Sequence, residues 1–325
     1  MRKNLELNDY LDGIKNKDRT ILARGITLIE SHNPDHHKLA QELLKAILPL
    51  TGKSKRIGIS GTPGVGKSTF IEAFGKMLTS QNKTLAVLAV DPTSQVSGGS
   101  ILGDKTRMNE LAIDQSAFIR PSPSGETLGG VAKRTRESML LCEAFGFDYI
   151  LVETVGVGQS ETTVAQMVDL FVMLLQPGSG DDLQGIKRGI LEMVDMVVVT
   201  KDDGDQQMII QKAKHDYQQA LHILRHDGWL PPVLSCSAYT KNGLPEVQKT
   251  IESYFSEQKS LITKKREKQG LDWMWQLINE GLKDSFNKAV GESEILSVER
   301  DVLSKSLTSP EAAQSLLTKF LKDRS

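Results

Sequence analysis

The sequence has few cysteines, few aromatic residues and almost no net charge. Only Cys142 and Cys236 occur among 325 residues. They lie in unrelated segments without metal-ligand spacing, which argues against a disulfide framework and predicts reduced thiols. Lys and Arg together number 40, and Asp and Glu together number 41. This balance gives no electrostatic argument for nucleic acid or an anionic membrane as a partner.

Long hydrophobic runs are also missing. The first eleven residues contain no apolar core of the kind that a secretory signal has. No apolar run approaches the roughly 18–20 residues that are needed to cross a bilayer. We therefore expect a cytoplasmic protein without a membrane partner. Apolar residues make up 39% and charged residues 25% of the chain, a globular composition that fits one large domain with extensions, or two domains.

What the sequence does contain is an alternation of short apolar runs with longer helical patterns. Seven apolar runs lie at 56–60, 84–90, 117–120, 149–152, 170–175, 196–200 and 232–235. Apolar strands separated by helices are typical of a mostly parallel, doubly wound sheet that is covered on both faces. The predicted fold class is therefore α/β, and ligands are expected beyond the carboxyl ends of the strands.

Helical patterns without strands flank this region. Before residue 50, apolar residues recur at helical spacing, and Asn33-Pro34-Asp35 divides the pattern into at least two helices. After about residue 257 the chain is again helical and charged. We predict three parts: an N-terminal helical extension at 1–54, a nucleotide-binding domain at 55–256 and a C-terminal helical arm at 257–325.

The first apolar run leads into a phosphate-binding motif. G-T-P-G-V-G-K-S at 61–68 fits G-x-x-x-x-G-K-[ST], and a helical pattern follows it. Its glycines let backbone N–H groups turn toward an anion, and the helix N-terminus favours negative charge. Lys67 is expected to reach the β- and γ-phosphates, and Ser68 to ligate Mg²⁺. The predicted nucleotide-binding residues here are Gly61, Thr62, Pro63, Gly64, Val65, Gly66, Lys67, Ser68 and Thr69.

Acidic residues follow the second and fourth runs. Asp91 can hold Mg²⁺ if strands one and two are close in the sheet, or it can cap a turn. Glu153 ends the fourth run three residues before Gly156. It can position the attacking water, or it can pair with a neighbouring lysine. A glycine-bearing loop at 97–108 can order over a γ-phosphate, or it can be a solvated loop.

A second motif predicts the base. T-K-D-D at 200–203 fits [NT]-K-x-D at the end of an apolar run. The Asp203 carboxylate can accept hydrogen bonds from guanine N1–H and N2–H₂, whereas adenine would leave it facing a lone pair. The Lys201 stem can lie along the base, and Thr200 can hold the loop. The segment after the next run completes the predicted base site: Ser237, Ala238 and Tyr239. A backbone N–H from Ala238 can reach guanine O6, so GTP is predicted over ATP.

Together these motifs resemble the MeaB/ArgK family, P-loop GTPases associated with methylmalonyl-CoA mutase. The most specific segments are G-D-K-T-R-M at 103–108 and E-T-V-G-V-G-Q-S-E at 153–161. The resemblance implies a Mg²⁺-dependent GTPase with GTP as substrate and GDP as product. It also implies that Asp91, Asp104 and Glu153 serve Mg²⁺ and hydrolysis, with Lys67 on the phosphates, and that Lys187 lies in a switch loop.

The same resemblance implies partners. Family members are homodimers with a C-terminal dimerisation arm, and they bind an adenosylcobalamin-dependent acyl-CoA mutase. They gate cofactor loading and protect the mutase, although the sequence leaves the client mutase open. A metal-insertion GTPase of the hydrogenase or urease maturation type is an alternative, which would want a His/Cys-rich segment. An ATPase or kinase linked to amino-acid transport is another, which Asp203 opposes.

Overall fold

The computed structural model describes most of the chain in eight segments: residues 5–31, 33–90, 108–121, 128–154, 159–178, 188–204, 206–224 and 228–322. The chain divides into two compact units, Met1–Ile262 and Thr263–Ser325. The three-part division that the sequence suggested stays a prediction.

The first unit is built on one parallel sheet of seven strands. Their order across the sheet is β3-β2-β4-β1-β5-β6-β7. The strands are β1 (Lys55–Gly61), β2 (Leu85–Val90), β3 (Ala117–Arg120), β4 (Tyr149–Thr154), β5 (Leu170–Leu175), β6 (Met196–Val199) and β7 (Val233–Ser235). Every apolar run therefore forms a strand, which confirms the α/β prediction. The strands are almost entirely buried, as expected of a sheet that is covered on both faces.

The helices of the first unit lie on the two faces of this sheet. They are α1 (Leu7–Lys15), α2 (Arg19–Glu30), α3 (Pro34–Ile47), α4 (Lys67–Ser80), α5 (Asn109–Ala112), α6 (Leu128–Phe145), α7 (Gln159–Ala165), α8 (Arg188–Leu191), α9 (Gln207–Leu224) and α10 (Leu244–Glu257). On one face α6, α7 and α9 pack on the sheet, and α1, α2 and α3 pack in turn on α6. The other face packs against α4 and α10. The two hydrophobic cores therefore hold the strand ends, and the loops after them, in fixed positions.

The N-terminal helices belong to the first of these cores. Leu22, Ile26 and Leu43 are fully buried in it. The chain turns between α2 and α3 at Asn33, whose side chain accepts a hydrogen bond from the Asp35 N–H at 3.0 Å. This cap explains the predicted break in the helical pattern.

The second unit consists, in its described residues, of helices joined by short turns. The helix α11 (Lys259–Val290) starts at the end of the first unit and is 32 residues long. Two shorter helices follow it, α12 (Glu292–Leu303) and α13 (Ser309–Lys322). Across the described ranges, no helix is both long and apolar enough to span a membrane.

Candidate functional site

The phosphate loop joins the end of β1 to the start of α4. A side chain at Gly61 would place its Cβ atom 2.5 Å from the Leu174 carbonyl oxygen, so the close approach to β5 requires glycine. Gly66 caps α4 in the left-handed region at φ 98°, which glycine adopts without strain. The buried Val65 side chain anchors the loop in the core. Thr62, Pro63, Gly64 and Thr69 are exposed, so the loop presents its backbone to solvent.

The Lys67 ammonium lies over this loop. Its Nζ atom donates to the Gly61 carbonyl at 2.7 Å and to the Thr62 carbonyl at 3.2 Å. Both acceptors belong to the loop that is predicted to hold the phosphates. The positive charge is therefore already positioned where an anion would bind, and carbonyl contacts can be exchanged for stronger contacts with phosphate.

Ser68 and Glu153 meet at the carboxyl end of the sheet. The Ser68 hydroxyl, in the first turn of α4, donates to Glu153 Oε1 at 3.0 Å. Glu153 is only 8% exposed and pairs in register with Ile59 of β1. A hydroxyl and a carboxylate at this distance form the oxygen-rich donor set that Mg²⁺ prefers. These two residues therefore fit the predicted metal.

The other predicted metal ligands are Asp91 and Asp104, which lie outside the described residues, as do Gly156 and Lys187. The sheet order nevertheless bears on Asp91. β4 lies between β1 and β2, so one strand separates the first two strands of the chain. Glu153 lies near the end of β4, the strand next to β1.

A metal cluster made of protein side chains alone is not found in the described segments. No group there has three or more His, Cys, Asp or Glu side chains placed to hold an ion. Mg²⁺ in phosphate-transfer sites keeps several waters and needs only one or two carboxylates besides the substrate phosphates. Ser68 and Glu153 therefore supply as many protein ligands as this coordination requires.

Thr200 connects the loop after β6, which carries the predicted base-recognising residues Lys201 and Asp203, to the phosphate loop. It is 5% exposed, and its Oγ1 atom lies 2.9 Å from the Val65 carbonyl and 3.0 Å from the Leu175 carbonyl. One hydroxyl thus bridges the loop after β1 and the end of β5. This contact supports the structural role that the sequence suggested for Thr200.

Lys201 makes a second connection between the two loops. Its backbone lies in the left-handed region at φ 61°, which is uncommon for a residue with a side chain. The Nζ atom lies 3.3 Å from the Gly64 carbonyl and 2.9 Å from Gln176 Oε1. The stem of Lys201 therefore runs between the phosphate loop and the end of β5.

Asp203 is exposed and is held by a buried serine. Ser237 is fully buried, and its hydroxyl donates to Asp203 Oδ2 at 3.2 Å. The Ser237 Oγ atom in turn accepts hydrogen bonds from the backbone N–H groups of Tyr239 and Thr240 at 3.1 and 3.0 Å. Because the Ser237 oxygen accepts these two hydrogen bonds, the Ser237 hydroxyl proton points toward the Asp203 carboxylate. Ala238 is partly exposed, and the Tyr239 side chain is 88% exposed.

A cavity of about 340 Å³ lies at this end of the site. Its lining residues are Gln176, Pro177, Lys201, Asp203, Gly204 and Gln206. The sequence motif named Lys201 and Asp203 but missed Gln176, Gly204 and Gln206. Gln176 directly follows an apolar run at the carboxyl end of a strand, and that position was the available signal. The cavity provides a concave site with polar side chains beside Asp203, the residue predicted to recognise the base.

The thiol nearest this site, that of Cys236, is unreactive. Burial, with the nearby Asp202 carboxylate adding to it, raises the pKa of the Cys236 thiol to about 12. A thiol with such a pKa stays protonated and unreactive at neutral pH. Cys236 therefore contributes packing next to the base-reading loop.

Comparison with known proteins agrees with this geometry. Residues 22–291 match the family model described as Methylmalonyl Co-A mutase-associated GTPase MeaB. The chain is 50% identical over 276 residues to the GTPase ArgK of Escherichia coli (strain K12), and the alignment covers 82% of each chain. It is 47% identical over 348 aligned positions to the Methylmalonic aciduria type A homolog, mitochondrial, of Mus musculus, covering 98% of this chain and 84% of the relative.

A solved structure is also similar along the whole chain. The protein described as LAO/AO transport system kinase is 37% identical, with a TM-score of 0.79 and coverage of 99% of both chains. The family match and the curated relatives confirm the resemblance drawn from the motifs. The chain belongs to the MeaB family of methylmalonyl-CoA mutase-associated GTPases.

Proposed function

We propose that this GTPase is a chaperone of an adenosylcobalamin-dependent acyl-CoA mutase, with methylmalonyl-CoA mutase as the first client to test. The observation that carries the proposal is the extent of the family match, which runs from residue 22 to residue 291. The match therefore continues beyond the nucleotide site into the second unit, which begins at Thr263. A likeness limited to the phosphate and base motifs would support nucleotide chemistry alone.

The described residues support an assignment of roles in nucleotide binding. Lys67 would exchange its contacts with the Gly61 and Thr62 carbonyls for the β- and γ-phosphates. Asp203, oriented by Ser237, would accept the hydrogen bonds of guanine. Thr200 would keep the two loops at a fixed separation through the Val65 carbonyl.

The hydrolytic roles are proposed on the same grounds. Ser68 would supply the hydroxyl ligand of Mg²⁺, and Glu153 the carboxylate beside it that orients the attacking water. When bound, the metal would neutralise charge that develops on the β- and γ-phosphate oxygens. Asp91 and Asp104 stay predicted members of this group. We expect slow hydrolysis by the isolated protein, because the motifs include no arginine finger, and faster hydrolysis when the client completes the site.

A homodimer and a cytoplasmic location are part of the same proposal. Support for the dimer comes from α11, where exposed apolar side chains recur at helical spacing over residues 271–282. Exposed apolar surface of this kind is typical of protein interfaces. A second copy of the chain is the occupant that the family resemblance implies.

The decisive experiment measures GTP hydrolysis by the purified protein with and without purified methylmalonyl-CoA mutase. We expect stimulation of tenfold or more, within the range that completing such a site supplies. A hydrogenase or urease accessory protein serves as the control partner and should leave the rate unchanged. The proposal would be contradicted if the mutase left the hydrolysis rate unchanged and, at the same concentrations, formed no complex with the protein in the presence of a non-hydrolysable GTP analogue.

A nucleotide titration tests the alternative of a transport-linked kinase, the activity by which the solved relative is described. GTP should bind far more tightly than ATP, because Asp203 pairs with guanine and faces a lone pair on adenine. Equal affinity for the two nucleotides would favour the kinase instead.

A further inference from the structure

Behind the phosphate loop lies a buried chain of three polar side chains. Thr154 Oγ1 donates to Ser60 Oγ at 3.1 Å, and Ser60 Oγ donates to Glu161 Oε1 at 3.0 Å. Ser60 and Thr154 are fully buried, and Glu161 is 7% exposed. Thr154 and Glu161 lie in the E-T-V-G-V-G-Q-S-E segment, but the sequence analysis assigned a role to neither of them.

The cluster lies on the opposite face of the sheet from the predicted metal site. Successive side chains of a strand point to opposite faces. Glu153 points toward α4, where it meets Ser68, so Thr154 points toward α7. Ser60 lies on that same face of β1. The carboxyl end of the central strands therefore carries one carboxylate on each face, Glu153 in front and Glu161 behind.

The helix that carries Glu161 is packed tightly along β1. A Cβ atom added at Gly58 would lie 2.8 Å from Val164 Cγ1 and 2.8 Å from Phe171 Cδ2. Val164 of α7 thus sits directly on Gly58, and Glu161, one turn earlier, reaches Ser60, two residues further along the strand. Two contacts one turn apart fix both the position and the rotation of α7 against the strand that leads into the phosphate loop.

The backbone links this cluster to both functional contacts in front. Ser60 precedes Gly61, whose carbonyl accepts from Lys67. Thr154 follows Glu153, which accepts from Ser68. A shift of either strand end would move one of these partners. A buried carboxylate also costs free energy of desolvation that an apolar side chain would not, so packing alone gives no reason for Glu161.

We propose that Glu161 is a positioning residue for GTP hydrolysis, which through Ser60 and Thr154 holds Gly61 and Glu153 in register behind the nucleotide. In the described part of the chain, Glu161 does not line the cavity beside Lys201 and Asp203, and its hydrogen bond is to Ser60 rather than to Ser68 or Glu153. Its effect should therefore fall on the rate of the chemical step, which depends on sub-ångström placement, and hardly on nucleotide affinity. The proposal concerns the GTPase reaction alone and does not depend on the client protein.

The test compares Glu161→Ala, Glu161→Gln and Ser60→Ala in single-turnover GTP hydrolysis by the full-length chain, with GDP affinity measured alongside. Glu161→Ala should lower kcat roughly tenfold and leave the GDP Kd within about twofold. Glu161→Gln keeps an acceptor for the Ser60 hydroxyl and should recover kcat to within about threefold of the original protein. The double variant Ser60→Ala with Glu161→Ala should be no slower than the slower single variant, because both changes remove one contact.

Ser54→Ala is the matched control. Ser54 is a buried serine next to the other end of β1, and its hydroxyl donates to the Phe147 carbonyl at 2.5 Å. It should lower the melting temperature without changing kcat. Glu161 would be merely structural if its alanine variant kept kcat within twofold, or if kcat followed melting temperature equally in both variants. Should Glu161→Ala fail to fold, Ser60→Ala decides, and an unchanged kcat there overturns the proposal.

Discussion

The two units of the chain treat their apolar side chains in opposite ways. In the first unit the sheet is almost completely buried, and two continuous cores enclose it. In the described part of the second unit, Val290 and Ala312 are the buried hydrophobic residues. Large apolar side chains there stay exposed along one helix: Leu271, Met274, Trp275, Ile278 and Leu282.

The difference indicates that the two units have different functions. Every described residue of the predicted nucleotide site belongs to the first unit, where rigid packing positions the loops. The second unit carries exposed apolar surface at i, i+3, i+4 and i+7 spacing, which is typical of a helix face that binds another protein surface. Substitutions in one unit should therefore change nucleotide chemistry, and substitutions in the other should change association.

The largest effect is expected from Lys67→Ala. It removes the ammonium that lies over the phosphate loop, and loss of a charged partner of an anion costs about 3 kcal/mol. GTP and GDP should bind roughly 100-fold more weakly, as measured by isothermal titration calorimetry. The oligomeric state in light scattering should not change. If nucleotide affinity survived within threefold, the assignment of the phosphate site to this loop would be wrong.

Asp203→Asn should change which base is bound. Two hydrogen bonds to guanine lose their charged acceptor, at about 1.5 kcal/mol or more each, so GTP should bind roughly 100-fold more weakly. The new amide can donate to the C2 carbonyl of xanthine, so XTP should gain affinity in the same competition assay. Asp202→Asn, next to it in the chain, is the control and should keep the preference for GTP.

Trp275→Asp should weaken association without touching the nucleotide. Trp275 is 59% exposed, and truncation of an aromatic residue at an interface commonly costs about 2 kcal/mol or more. Sedimentation equilibrium should show a dimer dissociation constant raised about 30-fold, with unchanged GDP affinity. Ile113→Asp alters an equally apolar residue of the first unit, 80% exposed, and should leave the dimer intact. Identical behaviour of the two variants would remove the distinction between the units.

The smallest effect concerns acid stability at Asp114. Hydrogen bonds from Lys76, at 2.7 Å, and from the Ser116 N–H lower the pKa of Asp114 from 3.8 to about 2. Because the folded-state pKa is the lower one, this stabilisation is present above about pH 3.8 and is lost as the pH falls toward 2. Solvent screening limits it to about 1 kcal/mol.

Urea unfolding of the Asp114→Asn variant measures this contribution. The loss of stability relative to the original protein should be constant from pH 7 to pH 5 and should shrink below pH 4. In the second unit, hydrogen bonds from Thr308 lower the pKa of Glu311, which is fully exposed, so Glu311→Gln should change the free energy of unfolding little. A larger acid dependence at Glu311 than at Asp114 would contradict the contrast.

Much of the first unit could be predicted because its strands are apolar on both faces and its loops carry motifs. The break at Asn33-Pro34 and the seven strands follow from local pattern. The order of the strands does not. The position of β4 between β1 and β2 could not be predicted, because long helical crossovers leave the neighbour of each strand undetermined.

The cross-face contacts were equally beyond reach of the sequence. Strands without alternation between apolar and polar residues do not show which side chain points to which face, so the sequence could not place Glu153 and Glu161 on opposite faces of the sheet. Their contacts with Ser68 and Ser60 separate them. The motif likewise predicted Lys67 on phosphate but gave no sign of its contacts with the Gly61 and Thr62 carbonyls.

The strand order sets a length scale for the ligand. β1, β5 and β6 are consecutive neighbours, and neighbouring strands are about 4.8 Å apart. The ends of β1 and β6 are therefore about 10 Å apart along the rim of the sheet, a distance that the main-chain hydrogen bonds of the sheet maintain. Guanosine alone or pyrophosphate alone therefore reaches one of these two strand ends, and only an intact nucleotide spans both.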